Sequence, residues 1–361
     1  MPSSTIIAER VAGFCRIYDL RLPILLAPMA GACPPALSIA VGRAGGMGAC
    51  GALMSTPDKI AEWAREVRAG TNGAFQINLW IPDPAPDRDR EHEDRVRAFL
   101  GQWGPAVGAE AAEAPLMDFE AQCEAMLDAG PHVISSIMGV YPPAFVERMK
   151  ERGIRWFATV TTVTEALKAQ EAGADVIVAQ GMEAGGHRGA FHAADAETGL
   201  VGLFSLLPAV VDAVSVPVVA TGGIADARGI AAALMLGASA VQIGTGLLRA
   251  PEAGLAPVWA EGLGRARPED TAASRAFSGR LGRSLRTAYV TAAAAPDAPA
   301  PAPYPVQRSL TAAMRGEAAK AGDLDRMQAW AGQSAGLARA EPAAEIVAGL
   351  WEETERLLGL R

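Results

Sequence analysis

Short apolar runs alternate with amphipathic segments over roughly the first 250 residues, and this alternation is the main structural signal in the chain. Most of the apolar runs are rich in β-branched residues, which favours strands buried on both faces of a parallel sheet. We predict eight strands at residues 23–29, 45–53, 74–81, 132–138, 155–161, 176–179, 217–221 and 240–244. The intervening segments predict helices at 34–44, from Pro57 onward after Ser55 and Thr56, and at 118–129, 142–152, 164–172, 203–214 and 226–236, the last capped by Asp226.

Eight strands that alternate with helices over about 250 residues indicate an α/β protein with a (β/α)₈ TIM barrel. An open, doubly wound sheet is the alternative, and it requires fewer strands and a dinucleotide-binding fingerprint. The sequence from Gly46 to Gly51 does satisfy G-x-G-x-x-G. It follows a helix instead of a strand, however, so we interpret this match as chance.

Two regions depart from the alternating pattern. Residues 82–115 are rich in proline and charge around one short amphipathic helix, and a long insertion after a barrel strand is suited to closing over the active face. A solvated loop without a role is the alternative. After the barrel domain at 1–252, residues 253–361 predict a smaller helical domain that covers the active face, with helices at 309–321 and from 326 to the end.

Composition and charge narrow the class of protein. Half of the residues are hydrophobic, one fifth are charged and the net charge is −8, a profile typical of a globular enzyme. An acidic chain is not expected to bind nucleic acid or anionic membranes, and no apolar run is long enough to cross a bilayer. The four cysteines show no C-x-x-C pairing and the N-terminus lacks a signal-peptide pattern, so we expect reduced thiols in a cytoplasmic monomer or small homo-oligomer.

The stretch at 175–191, DVIVAQGMEAGGHRGAF, joins a buried strand to a loop of glycine and polar residues. Loops after the strands form the active face of a barrel, so we predict that chemistry occurs here. His187 is the candidate proton acceptor, and a purely structural histidine is the alternative. We interpret Glu183 as a partner of the backbone or of His187 and not as a base.

Two further strand ends predict a phosphate site. Barrels often bind phosphate at the loops after strands seven and eight, and here those ends are glycine-rich, at 221–226 and 242–246. Glycines that only relieve crowding are the alternative. Asn78, Gln180 and Gln242 at strand ends carry amides suited to the polar edge of a flavin, which makes FMN the first choice of cofactor.

The residues that two other reaction types require are missing from the expected positions. No lysine ends a predicted strand, which argues against a Schiff-base aldolase, and the loop after strand six has no cysteine for a thiolate-dependent dehydrogenase. His192, Asp195 and Glu197 lie near His187 but fit no strong metal-ligand spacing, so no metal is predicted.

The chain resembles the class I nitronate monooxygenases, formerly called 2-nitropropane dioxygenases. The resemblance covers most of the chain and rests on LLAPMAG (25–31), QIN (76–78), DFEAQ (118–122), AQGMEAGGHRG (179–189), GGIAD (222–226), VQIGT (241–245), FSGR (277–280), PYP (303–305) and WAGQSAGLAR (330–339). It departs from the family pattern at residues 135–139 and at Thr287, where an aromatic and an Asn are more usual.

The resemblance implies a catalytic histidine at His187 and a substrate pocket that includes Ser136, Tyr304, Gln333 and Ser334. It implies flavin contacts at Ala27, Pro28, Met29, Asn78, Gln180, Gly185, Gly186, Gly222, Gly223, Gln242, Ile243, Gly244 and Thr245.

The implied activity is FMN-dependent oxidation of alkyl nitronates by dioxygen to carbonyl compounds and nitrite, a detoxification reaction. Its partners are a small anionic nitronate and dioxygen, with Arg188 and Arg280 as candidate sources of positive potential on an acidic protein. An NADH-dependent flavin reductase of the same fold, acting on a quinone or an enoyl thioester, and a non-catalytic flavin-binding protein are the alternatives.

Overall fold

A computed structural model describes residues 4–360 and contains a parallel barrel with a smaller antiparallel sheet beside it. The strands are β1 (Ile24–Leu26), β2 (Gly48–Gly51), β3 (Phe75–Trp80), β4 (Val133–Ile137), β5 (Arg155–Val160), β6 (Val176–Gln180), β7 (Gly186–His187), β8 (Val218–Thr221), β9 (Ala240–Ile243), β10 (Thr271–Ser274) and β11 (Gly282–Leu285). The α-helices are α1 (Ser4–Ile17), α2 (Pro35–Ala44), α3 (Pro57–Gly70), α4 (Arg90–Leu100), α5 (Phe119–Ala129), α6 (Pro143–Glu151), α7 (Val163–Glu171), α8 (Leu203–Ala213), α9 (Ala227–Met235), α10 (Pro257–Arg265), α11 (Ala288–Ala293), α12 (Val306–Leu310), α13 (Ala312–Ala321) and α14 (Ala343–Leu358).

The barrel contains all eight predicted strands, in the order β1-β9-β8-β6-β5-β4-β3-β2. Strands β1 and β2 meet through a short bridge, in which the amide of Leu26 donates to Met47 O at 2.9 Å and the amide of Met47 donates to Ile24 O at 3.2 Å. The prediction of a TIM barrel is therefore confirmed. The predicted helix starts at Thr56 and Asp226 are confirmed as well, because each side chain accepts a hydrogen bond from an amide in the first turn.

Helix α1 was not predicted. Its buried residues Ile7, Val11 and Phe14 recur at helical spacing, and the Phe14 ring lies 6.3 Å from the ring of Phe157 on β5. Arg10 anchors the helix further by donating from Nε to Ala238 O at 3.1 Å. Packing against the barrel thus stabilises a helix whose length would make it marginal in isolation.

The region after residue 252 is less helical than expected, because it contains β10 and β11. These two strands are antiparallel, and β11 also pairs with β7, so that His187 lies opposite Gly282. The expected helix at 309–321 is split into α12 and α13, and the one expected from 326 to the end is limited to α14, since Gly332, Gly336 and Pro342 interrupt the segment before it.

Helix α14 returns to the barrel. It contacts α2 and α9, and Ile346, Val347 and Leu350 belong to the same apolar core as the strands. It therefore occupies the position of the eighth barrel helix, after the segment 253–342 that contains α10 to α13, β10 and β11. The domain boundary at residue 252 stays a prediction.

The inserted segment 82–115 is packed. Its predicted helix is present as α4, and Val96, Leu100 and Ala112 form an apolar cluster with Phe277 and Tyr289 of the later segment. The insertion and the C-terminal segment therefore pack against each other through this apolar cluster.

Candidate functional site

A cavity of about 430 Å³ opens at the C-terminal ends of the barrel strands. All of the proposed flavin contacts line it except Ile243, which is 1% exposed and pairs with Leu26 inside the barrel wall. Of the proposed substrate-pocket residues only Ser334 lines the cavity. Ser136 does not line it: its hydroxyl is buried, accepts from Trp156 Nε1 at 3.0 Å and donates to Gly139 O at 3.2 Å.

The other two substrate-pocket predictions also place residues outside this cavity. Tyr304 lies behind Trp80, with ring centroids 5.4 Å apart, and lines a smaller cavity there. The backbone amide of Gln333 donates to Glu183 O at 2.9 Å. The side chains at the two departures from the family pattern are both engaged within the fold. Ser136, where an aromatic is more usual, makes the two hydrogen bonds given above, and Thr287 caps α11.

The loops after β8 and β9 form a cradle of free amides. Gly222 and Gly223 have φ of +108° and +71°, which turns their backbone toward the cavity. No hydrogen bond within residues 4–360 uses the amides of Gly223, Ile224 or Thr245. Free amides beside the N-terminus of α9 suit an anion, so this cradle fits a flavin phosphate.

The strand-end amides are not equivalent. Gln242 Oε1 accepts from Gln76 Nε2 at 3.1 Å, so the Nε2 group of Gln242 remains as a donor for a ligand. Asn78 Nδ2 donates to Ser135 Oγ at 3.1 Å, so Asn78 Oδ1 remains as an acceptor. Gln180 uses both ends of its amide within the protein: its Nε2 donates to His187 O at 3.0 Å and its Oε1 accepts from the Gly189 amide at 2.8 Å. Gln180 therefore holds the histidine loop in place, and one N–H and one lone pair remain for a ligand.

His187 is fixed by a serine from the C-terminal segment. Its Nε2 lies 2.7 Å from Ser278 Oγ, and that hydroxyl donates to Arg280 O at 3.1 Å while accepting from the Arg280 amide at 3.3 Å. With the single hydroxyl proton directed at Arg280 O, the hydrogen of His187 is on Nε2. Nδ1 is then an acceptor, and no hydrogen bond within the described part of the chain uses it.

The surroundings of His187 keep it neutral. The ring lies between Trp80 and Trp330, with centroid distances of 4.6 and 4.7 Å. Burial, followed by the positive charges of Arg280, Arg308 and Arg315, lowers the pKa of His187 to about 3. His187 is therefore an uncharged hydrogen-bonding group across the physiological pH range, and a weak base.

This gives a pH prediction. Since the folded pKa lies far below the ordinary value, the imidazole should gain a proton only in strong acid, and its NMR signals should not shift between pH 8 and pH 5. The chain has four histidines, so the His187 signal is assigned by its loss in His187→Asn. A titration midpoint between pH 6 and pH 7 for that signal would contradict the assignment of a neutral imidazole.

The cations of the site differ from those expected. Neither Arg188 nor Arg280 lines the cavity: Arg188 Nη2 donates to Gly199 O at 2.8 Å, and Arg280 Nε pairs with Asp83 Oδ2 at 2.7 Å. Arg308 on α12 and Arg315 on α13 line it instead, from the C-terminal segment that was expected to cover the active face, although neither arginine was singled out as a site residue. Burial lowers the pKa of Arg315 to about 10, which leaves it charged at neutral pH.

Acidic groups are separate from these cations. No Asp or Glu is among the described residues that line the cavity. Glu183 accepts from the Leu203 amide at 2.9 Å and so holds the start of α8, which makes it a backbone partner as expected. Among residues 4–360 no cluster of three potential metal ligands occurs, the four cysteines are buried free thiols and no helix has the length and hydropathy to span a membrane.

Comparison with known proteins gives consistent matches over nearly the whole chain. Residues 14–353 match the family model "Nitronate monooxygenase". The nitronate monooxygenase of Pseudomonas aeruginosa is 39% identical over 94% of this chain and 98% of its own, and a probable nitronate monooxygenase of Staphylococcus aureus is 32% identical over 95% and 97%.

Solved structures give the same result. The nitroalkane oxidase of Streptomyces ansochromogenes superposes with a TM-score of 0.87 at 35% identity, covering 95% of this chain and 99% of its own. FabK of Thermotoga maritima superposes with a TM-score of 0.75 at 28% identity, covering 96% and 97%.

Proposed function

The chain belongs to the nitronate monooxygenase family of flavin-dependent oxidoreductases, and from this premise we propose that it binds FMN and oxidises alkyl nitronates with dioxygen to carbonyl compounds and nitrite. The observation that carries the proposal is a cavity that contains two arginines, a neutral histidine and, among the residues that the structure describes, no carboxylate. It lies next to a glycine cradle for phosphate. A small anion and an anionic cofactor both suit such a site.

The glycine loops are proposed to hold the cofactor. The amides of Gly223 and Thr245 would bind the phosphate, while Asn78 and Gln242 would meet the polar edge of the ring. Gly185 lets the backbone at Gly332 pack against the histidine loop beside this site, because a Cβ there would lie 2.5 Å from the Gly332 amide nitrogen and 2.8 Å from Thr245 Oγ1. Bound FMN supplies the electron acceptor for the oxidation and the site at which dioxygen is reduced.

The protein's own groups bind and orient the substrate. Arg308 and Arg315 attract the nitronate, whose charge is present before it binds. His187 Nδ1 is placed to accept a proton from the carbon of a neutral nitroalkane, a step that the already ionised nitronate does not need. Because the pKa of His187 is about 3, proton removal is inefficient, and this favours the ionised nitronate as substrate. Trp80 and Trp330 restrict water around the imidazole.

The test compares two reagents on the purified, flavin-loaded protein. We expect dioxygen uptake and nitrite release with ethyl nitronate in air, and slow or no bleaching of the flavin by NADH without air. Rapid bleaching by NADH without nitronate consumption would replace the proposal with a flavin reductase. No spectral change with either reagent would indicate a non-catalytic flavin protein.

A second prediction concerns Arg308. It lines the cavity, and no Asp or Glu among the described residues lines the cavity with it. Arg308→Gln should raise KM for ethyl nitronate about tenfold, since loss of one charge contact to an anion costs on the order of 1.4 kcal/mol. Oxygen-uptake kinetics give the value, and Arg228→Gln is the control because Arg228 is 77% exposed in its side chain and pairs with Asp226. Equal KM values for both variants would remove Arg308 from the binding site.

A further inference from the structure

A second, smaller cavity of about 50 Å³ adjoins the site. It lies between the barrel and the chain that follows the insertion, and Leu53, Met54 and Trp80 line both cavities. We call it the side chamber. Because the two cavities share these three wall residues, the side chamber is adjacent to the main cavity.

The charged and amide side chains of the chamber wall are engaged elsewhere. The carboxylate of Asp83 pairs with Arg280, and Gln122 Nε2 donates to the carbonyl oxygens of Ala52 at 3.0 Å and Ser55 at 2.8 Å. Much of the remaining wall is apolar, including Leu79, Ile81, Leu116, Met117 and Phe119. A polar ligand group would find few partners here, whereas a hydrocarbon group would be desolvated.

Trp80 separates the chamber from the reacting position. Its indole contacts His187 on one side, with centroids 4.6 Å apart, and Tyr304 on the other at 5.4 Å. The chamber therefore begins about one indole ring from the imidazole. A substrate whose charged end lies at His187 and Arg308 would place only its distal carbons there.

We propose that the side chamber binds the hydrocarbon chain of the nitronate and sets the preferred chain length; this inference rests on the function proposed above. A group the size of a water molecule needs about 10 to 15 Å³ of cavity volume, so a chamber of about 50 Å³ holds about four carbon atoms. Burial of each methylene is worth about fourfold in affinity.

The experiment measures kcat/KM by oxygen uptake for straight-chain nitronates from ethyl to octyl. In the unmodified protein kcat/KM should rise about fourfold per methylene over the carbons that reach the chamber and then level off. Leu116→Asp places a carboxylate in the wall and should reduce that increase to less than twofold per methylene. Leu167→Asp is the matched control, because Leu116 and Leu167 are 48% and 46% exposed and Leu167 lies on α7.

A binding measurement keeps the inference testable without turnover. Straight-chain alkanoates carry the same planar anionic end, and their binding is followed by tryptophan fluorescence, since Trp80 lies in the chamber wall. We expect the same chain-length dependence, lost in Leu116→Asp and kept in Leu167→Asp.

Turnover of ethyl nitronate without any dependence on chain length would contradict the proposed role of the side chamber and leave the proposed function intact. Loss of nitronate turnover with chain-length-dependent alkanoate binding overturns the function alone, and an unchanged dependence in Leu116→Asp overturns the location.

Discussion

Replacing Gly223 with Asp should lower the affinity for FMN about a thousandfold and yield folded, colourless protein. Gly223 lies in the proposed phosphate cradle with an unused amide, and a Cβ added there would lie 3.1 Å from the Cβ of Glu183, a clash that small shifts relieve. Two negative charges about 4 Å apart cost on the order of 4 kcal/mol at an effective dielectric constant of 20, which corresponds to that loss. Flavin content after purification and an FMN titration of the apoprotein give the value.

The matched control is Gly223→Asn, which has nearly the same shape. Gly223 has φ of +71°, and Asn and Asp both tolerate this conformation better than other residues, so the two variants share the backbone strain. The difference in FMN affinity between them isolates the charge. Equal affinities in the two variants, or a fully yellow Asp variant, would show that the phosphate binds elsewhere.

His187→Asn should separate the two ionic forms of one substrate. A neutral nitroalkane must lose a carbon-bound proton, and the Nδ1 lone pair of His187 is the acceptor that the cavity offers. Asn keeps hydrogen-bonding groups but cannot take that proton. Activity on the nitroalkane should fall by about 10², the low end for general-base assistance, because a group with a pKa of about 3 is a weak base. Activity on the nitronate should fall much less, because its carbon is already deprotonated.

Steady-state oxygen uptake with nitroethane and ethyl nitronate measures both losses. His192→Asn is the control, since His192 is exposed and lies five residues further along the chain. Losses of the same size on both ionic forms would mean that His187 binds or positions the substrate and does not remove a proton. The low pKa of His187 predicts in addition that the unmodified enzyme strongly prefers the nitronate.

The barrel and the position of the active face followed from the sequence because they depend on local patterns. Buried parallel strands give short apolar runs, and helices between them give the helical spacing, so all eight barrel strands were predictable. The glycine-rich ends of β8 and β9 and the polar loop around His187 were equally visible, since the chain order of a TIM barrel brings strand ends to one face. Most of the proposed flavin contacts consequently line one cavity.

The charge and the tautomer at the site depended on contacts between distant segments, which no local pattern reports. Ser278 contacts His187 across 91 positions of sequence, and only the pairing of β11 with β7 brings them together. Arg308 and Arg315 occupy an ordinary helical segment and become cavity cations because that segment folds over the barrel mouth. Arg188 and Arg280 lie next to obvious motifs but have partners within the protein: Arg188 donates to backbone oxygens, and Arg280 pairs with Asp83. The sequence determined which groups are present near the strand ends, whereas tertiary packing decided which of them remain free, because a polar group is available to a ligand only when no protein partner satisfies it.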